Sequence, residues 1–372
     1  MARIAYFVAI AAVVIHGLIH LLGFVAYWPL AEVAELPYKT SLLNGRLILT
    51  NTGMRWFSLF WLLAALGLVA AAVSVVLDRS WWLPLMLTAV GVSLIITVLD
   101  WSNAYRGAIL SLLILVPLLV VTGLRQQPRP FPAYPQTSQP MNTVAIPENL
   151  PAPVARYFET VLGDAVPVVE TAVVTGHGQL RFNGITFPHR LRFTYDAAQG
   201  YRHYIESTVF GLPLLKVNEH YLDGQGRMEL PFGVVENEPK IDLAANLGFW
   251  GEAIWFPPLY LTDPRVRWEA IDATTARLIV PFGAEEDSFT VYFDPATGLI
   301  DHMEAMRYRD AADTEKILWQ LRPLAWETYH GVQIPSRSSV TWADEGTPWL
   351  VIELDDVVYN VAVENYIRAV GP

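Results

Sequence analysis

The chain contains no cysteine, and only 16% of its residues are charged. The first absence excludes disulfides, thiolate nucleophiles, zinc–cysteine sites and cysteine-ligated iron–sulfur clusters. It suits either side of a bacterial membrane. The second falls well below the ~25% charge of an average soluble protein, and the shortage is uneven. Residues 1–125 hold four acids and seven bases, a balance of +3, whereas residues 126–372 hold 32 acids and 18 bases, a balance of −14. So acidic a segment lacks the clustered Lys and Arg that phosphate backbones require, which excludes nucleic acid as a partner. Wide contact with anionic lipid headgroups is disfavoured for the same reason. Also missing are a phosphate-cradling glycine loop closed by Lys-Ser/Thr, an HExxH, a GxSxG and a dinucleotide fingerprint. No catalytic pattern is recognisable, so whether the chain is an enzyme stays open, and no cofactor is expected.

What is present is apolar: 53% of residues are hydrophobic, with 13 Trp, 16 Tyr and 16 Phe. Four runs stand out, Ile4–Trp28, Trp56–Leu77, Trp81–Leu99 and Ala108–Leu124. Each has about the length a helix needs to cross ~30 Å of hydrocarbon at ~1.5 Å per residue. Trp28, Trp56, Trp81, Trp82, Trp101 and Tyr105 mark their ends, where amphipathic rings favour the headgroup zone. The first run is too long for an ordinary signal peptide, carries two histidines and precedes three more spans. A bundle of about four transmembrane helices over residues 1–125 is therefore expected, in a multi-pass protein of the cell membrane whose first partner is the bilayer. Four spans place both termini on one side. Arg3, Arg79, Arg125 and Arg129 lie on that side, and Lys39, Arg46, Arg55 and Arg106 on the other. The positive-inside rule gives a tie; the compartment stays undetermined, with a slight lean to the extracytoplasmic side.

Three intramembrane polar residues are candidates for function. His16 and His20 lie one helical turn apart and share a face. Either they bind a metal, a haem or a proton, or they hydrogen-bond inside the bundle. Asp100, at the end of the third run, is a possible partner of His20. Gly17 and Gly23 permit close helix packing.

Residues 126–150 are proline-rich and read as a semi-rigid spacer. A short amphipathic helix follows, with Val154, Tyr157, Phe158 and Val161 on one face. Period-two alternation then dominates residues 151–372, as in Leu191–Tyr195, Lys216–Leu222, Ser288–Phe293 and Leu299–Tyr308, with turn signals at Asp223–Gly224, Asp294–Pro295 and Gly331. The expected fold is a mainly antiparallel β (α+β) domain, a curved sheet or half-barrel. One segment, Ile241–Trp255, has helical spacing, an acid (Asp242) in its first turn and Pro257–Pro258 beyond it. A helix there would cover the sheet, and the space beneath it is the natural place for an apolar ligand.

Glu252 is the most informative carboxylate. It sits among Phe249, Trp250, Ile254 and Trp255, where it needs a partner such as Arg307 or else takes up a proton. It is either one half of a helix-to-sheet ion pair or a polar anchor in an apolar pocket. Trp250, Trp255, Trp268 and Trp342 are either core or ligand-lining. Asp301, His302 and Glu304 make at best a weak metal set, so no metal is expected. Arg307 and Arg309 share a face and either form cross-strand ion pairs or grip a carboxylate or phosphate.

The segments HGLIHLLGF and WLLAAL, with LPAPVARYF, HYLDGQGRM, GEAIWFPPLYL, YFDPATGLI and WETYHGVQIP, resemble an uncharacterised bacterial membrane-protein family, and its C-terminal half a domain of unknown function. GEAIWFPP followed by Trp268 is the most specific part of that resemblance. The β-rich half also looks like the half-barrel lipoprotein-carrier fold of bacterial envelopes. The resemblance implies a four-helix anchor with a β-rich domain, and it carries over no catalytic residues to this chain. The expected function is a membrane-tethered binding protein for a hydrophobic or amphiphilic, lipid-like ligand, with Glu252 and Arg307 orienting its polar end. The rivals are a membrane-bound, hydrolase-like enzyme using Glu252, and an envelope assembly protein without a small ligand.

Overall fold

The computed structural model describes residues 2–372 and divides into two units, one ending at Thr122 and the other beginning at Gly123. In the first unit lie α1 (Ala2–Tyr27), α2 (Asn51–Val76), α3 (Trp82–Leu99) and all but the last three residues of α4 (Trp101–Arg125). All four are long and apolar enough to cross a membrane. The helix α2 begins before its apolar run because Thr50 caps it, its hydroxyl accepting from Gly53 N–H at 3.1 Å. Small residues let the helices touch. A Cβ added to Gly23 would stand 2.2 Å from the Trp61 ring, and one on Gly17 would stand 3.1 Å from Leu68.

In the second unit, α5 (Ala152–Leu162) buries Val154, Tyr157, Phe158 and Val161, as its spacing requires. Thirteen strands then build one antiparallel, curved, open sheet. The first six are β1 (Thr171–Phe182), β2 (Ile185–Asp196), β3 (Gly200–Val209), β4 (Leu212–Leu222), β5 (Gln225–Leu230) and β6 (Gly233–Glu236). The chain then crosses in α6 (Pro239–Glu252), a 3-10 turn (Ala253–Trp255) and α7 (Leu259–Thr262). It returns through β7 (Arg267–Ala270), β8 (Thr275–Phe282), β9 (Glu285–Phe293), β10 (Ile300–Arg307), β11 (Ile317–Tyr329), β12 (Val332–Trp342) and β13 (Leu350–Tyr359). The spatial order runs β6-β5-β4-β3-β2-β1-β13-β12-β11-β10-β9-β8-β7. The first and last strands therefore pair at the centre, and β6 and β7 are the two free edges.

That order explains the position of α6. It connects one edge of the sheet to the other, so it must pass over the concave face. Ile241, Ala244, Ala245, Leu247, Phe249 and Trp250 are all buried, which leaves no solvent face along most of its length. Tyr221 of β4 donates to Asn246 Oδ1 at 3.1 Å, and Asn246 Nδ2 donates to Asp287 of β9 at 3.0 Å, so α6 bridges both halves of the sheet. Asp242 accepts from Gly226 N–H at 2.6 Å and ties its first turn to β5.

Several two-residue hairpin turns use positive φ at both positions. Asn183–Gly184 stands at 49° and 78°, Asp223–Gly224 at 55° and 82°, and Phe210–Gly211 at 54° and 70°. Such turns match the strand twist and ordinarily take Asn or Asp followed by Gly. Phe210, and His330 in the His330–Gly331 turn at 50° and 83°, depart from that choice.

The proline-rich stretch does not hang free as a spacer. Phe131 and Tyr134 are buried against the convex face. Arg192 donates to Pro132 O at 2.6 Å, Arg190 donates to Arg129 O at 3.0 Å, and Tyr134 donates to Ala362 O at 2.6 Å beside α8 (Glu364–Ile367). This strap shields a charged layer: Arg202 and Glu206 are both buried, and Glu206 pairs with Arg190 at 2.7 Å.

Candidate functional site

In the first unit, the polar residues form two separate groups. His16 Nε2 lies 3.1 Å from both Ser93 Oγ and Ser111 Oγ, and His20 Nε2 lies 2.8 Å from Ser93 Oγ. His20 Nδ1 stands 2.7 Å from His16 O, so it carries the proton and donates. Both rings are thus committed to a hydrogen-bonded network with serines of α3 and α4. Asp100 belongs to the other group and does not meet His20. It is fully buried in the one-residue join between α3 and α4, accepts from Tyr27 OH and pairs with Lys39. Lys39 lies between α1 and α2, so the loop reaches an acid that α3 supplies. No group of three or more metal-ligating side chains occurs among the described residues.

In the second unit, strand alternation turns Phe193, Tyr195, Tyr201, His203 and Glu219 toward α6. Register places His203 opposite Phe193 on one side and Glu219 on the other. The imidazole is stacked between Phe193 and Tyr201, with ring centroids at 3.8 and 3.9 Å. Its Nε2 stands 2.7 Å from Glu252 Oε2, an ion-pair distance without an aligned hydrogen bond. Its Nδ1 stands 3.7 Å from Glu219 Oε2. Tyr195 donates to Glu252 at 2.9 Å, and Tyr201 donates to Glu219 at 2.5 Å.

Burial by itself would lower the His203 pKa. The charges of Glu252 and Glu219 outweigh burial and raise it to about 9. His203 is therefore an imidazolium at neutral pH. Burial pushes Glu219 up, but the charge of nearby His203, the hydrogen bond from Tyr201 and the charge of Arg307 prevail and hold it below the usual carboxylate range. Burial and the charge of Glu252 push the Tyr195 hydroxyl well up, so it stays a donor.

Glu252 thus does have an ion-pair partner, but it is His203 and not Arg307. Arg307 projects from β10 onto the same concave side. Its guanidinium lies 4.4 Å from the Trp319 ring centre and 5.9 Å from that of Trp342. Its positive charge acts on Glu219 and Tyr201. Among the described residues it has no carboxylate within 4.0 Å, and its Nε lacks a hydrogen-bond partner. Arg309, by contrast, is held by Asp344 and Glu345. Of the aromatic candidates, Trp255 stands beside Glu252 and Trp342 beside Arg307. Trp250 lines a separate cleft of about 260 Å³ with Arg265 and Asp223. Trp268 packs on Phe158, Tyr260 and Phe293, away from this centre.

The space beneath the helix is small. Glu252, Ile254, Trp255, Leu321, Ser338 and Ile352 enclose a cavity of about 30 Å³, the volume of one water molecule. Ser338 lies in one transverse row with Ile352, Gly178 and His189. His189 is fully buried, burial lowers its pKa to about 3, and neither ring nitrogen has a partner. Ser338 Oγ and Trp255 Nε1 are also unpartnered. Unpaired polar atoms this deep are rare in a finished core.

His203, Glu219 and His189 escape a sequence reading because only register assembles them. His203 and Glu219 are 16 positions apart, and the tight Phe210–Gly211 turn together with a register shift between Ser207 and Thr208 sets them opposite each other.

A family model covers residues 140–354, more than half of the chain, and spans this whole centre. The chain belongs to the family of unknown function DUF6544. No curated protein matches it. Three solved structures are similar over part of the chain. A DUF1329-family protein from Desulfovibrio piger shares 13% identity, with 52% of this chain and 87% of that one covered and a TM-score of 0.31. A putative outer membrane lipoprotein-sorting protein domain from Vibrio parahaemolyticus shares 11%, with 57% and 91% covered and a TM-score of 0.33. A LolA-superfamily protein from Nitrosomonas europaea shares 9%, with 56% and 93% covered and a TM-score of 0.31.

Proposed function

We propose that this protein is a membrane-tethered binding module for an amphiphilic, lipid-like ligand carrying a carboxylate or phosphate. The observation that carries this reading is Arg307: a half-buried cation on the concave face, backed by Trp319 and Trp342, with no carboxylate of its own. A guanidinium so placed is a receptor for an anionic head. Around it His203 lies between Glu252 and Glu219, and the charge of Arg307 acts on Glu219. The unpartnered Ser338, His189 and Trp255 atoms supply further polar contacts.

The structure is then the closed form. The volume of about 30 Å³ beside Glu252 admits no acyl chain, so the ligand takes the place of the Ile254–Trp255 turn, which swings out with α7. The hydrolase-like reading is weaker. Its carboxylate, Glu252, is engaged by His203 at 2.7 Å and by the Tyr195 hydroxyl at 2.9 Å.

Native mass spectrometry of the full chain, released from lipid nanodiscs, tests the proposal. A stoichiometric amphiphile retained by the wild type and by Arg309→Ala, but lost from Arg307→Ala, is the expected result. Equal retention by all three, or a protein that holds no amphiphile even after incubation with phosphatidic acid or fatty acid, refutes it. Product masses from a cleaved ester would favour the enzyme instead.

A further inference from the structure

We infer that one end of the sheet is a bilayer-contact surface, with the hairpin tips β1–β2, β3–β4 and β5–β6 seated in the lipid interface. Alternate turns of an antiparallel meander fall on the same end, so these three tips lie together. Each carries large apolar side chains at its turn or beside it. Phe182 and Ile185 flank the first, Phe210 and Leu212 form the second, and Phe232 forms the third. Their exposures are 41%, 48%, 43%, 69% and 68% in that order. The Phe182 and Phe232 rings stack at 6.2 Å, which joins the first and third tips into one patch.

Phe210 shows that this apolarity is maintained against local cost. It takes the left-handed first position of its turn, φ 54°, where Asn183 and Asp223 stand in two sister turns. A bulky aromatic residue in that conformation is strained. The ring lies against Gly123 and is otherwise exposed.

The occupant is the bilayer, by continuity of the chain. Phe210 N–H donates to Gly123 O at 2.9 Å, and Gly123 is the residue at which this unit begins. The apolar run of the last span ends at Leu124, and Arg125 is the first base after it. An arginine there marks the headgroup level, so a tip bonded two residues before it stands at the same depth. Patches of exposed apolar side chains on soluble surfaces ordinarily signal a partner; here the partner is the lipid from which the chain has just emerged. The inference is independent of the ligand proposed above.

The absence of cysteine makes the test clean, since every introduced thiol is unique. Leu212→Cys, Phe232→Cys and, at the opposite end of the sheet, Ala198→Cys are each labelled with an environment-sensitive fluorophore in the full chain in phosphatidylcholine nanodiscs. The labels at 212 and 232 are expected to emit to the blue of that at 198. They should be quenched several-fold more by nitroxide-labelled lipid, and several-fold less by aqueous iodide. Labels at 212 and 232 as open to iodide as that at 198 would overturn the inference. So would labels shielded from both quenchers, the mark of a second protein covering the tips.

Discussion

At the scale of single residues, the molecule is defined by charges placed in apolar surroundings. His203 illustrates how a sign is decided. Its ring is almost wholly buried, which favours neutrality, yet Glu252 and Glu219 raise its pKa to about 9. A histidine with a pKa raised on folding contributes stability that is fully present below its unfolded value near 6.5. That stability is lost as pH rises toward 9. The second unit should therefore melt at progressively lower temperature between pH 6.5 and 9, by a contribution of roughly 3 kcal/mol at most. Glu252→Gln should flatten that dependence and lower the histidine titration observed by NMR. An unchanged pH profile would show that His203 is neutral in the folded protein. Within the membrane, Asp100→Ala should destabilise the bundle by about 3–5 kcal/mol, because Lys39 then loses its buried partner. Thermal unfolding in detergent reads this directly. The sequence pointed to Glu252 and Asp100 as carboxylates in apolar company. It did not show their partners, because an ion pair is chosen by three-dimensional neighbours and both lie far away along the chain.

At the scale of elements, α6 depends on its glycines. A Cβ on Gly251 would stand 2.4 Å from Leu321 Cδ1 and 3.3 Å from the Trp319 ring. Gly251→Ala should lift the C-terminal turn of α6 from the sheet and lower stability by about 1–2 kcal/mol. If this segment is the ligand gate, the same variant exchanges bound amphiphile faster, measurable by competition with a fluorescent fatty acid. Slower or unchanged exchange would place the gate elsewhere. The helix itself was legible from its spacing, its first-turn acid and the following prolines. β3 was not. Its residues from Gly200 to Thr208 are buried on both faces, by α6 on one side and the strap on the other, so no polar–apolar alternation survives in it. Its histidine, arginine and glutamate disguise a central strand as a surface one.

At the scale of the whole molecule, the strap makes the second unit start earlier than its β pattern suggests. Phe131 lies between Arg190 and Arg192, whose guanidinium carbons are 4.4 and 5.5 Å from its ring centre. Phe131→Ala should cost about 3–5 kcal/mol, more than a flexible tether would show. A fragment beginning at residue 141 should melt well below one beginning at residue 123. Equal melting temperatures would mean that the strap is held only weakly. Proline content alone predicts an extended chain, and extended is what these residues are; composition does not reveal that the extended chain has a surface to lie on.

Four membrane spans, the amphipathic α5, the α6 segment and an antiparallel, turn-rich second half were all determined by the sequence alone, because each rests on local periodicity or on length against the bilayer. Only the tertiary structure decided that β1 pairs with β13, and hence that α6 must cross the concave face. It alone decided that His203 sits between two acids while Arg307 stands apart on tryptophans. Those outcomes depend on register and strand order, which are set by packing energies summed over residues distant in the chain and leave no periodic trace within any one segment of it.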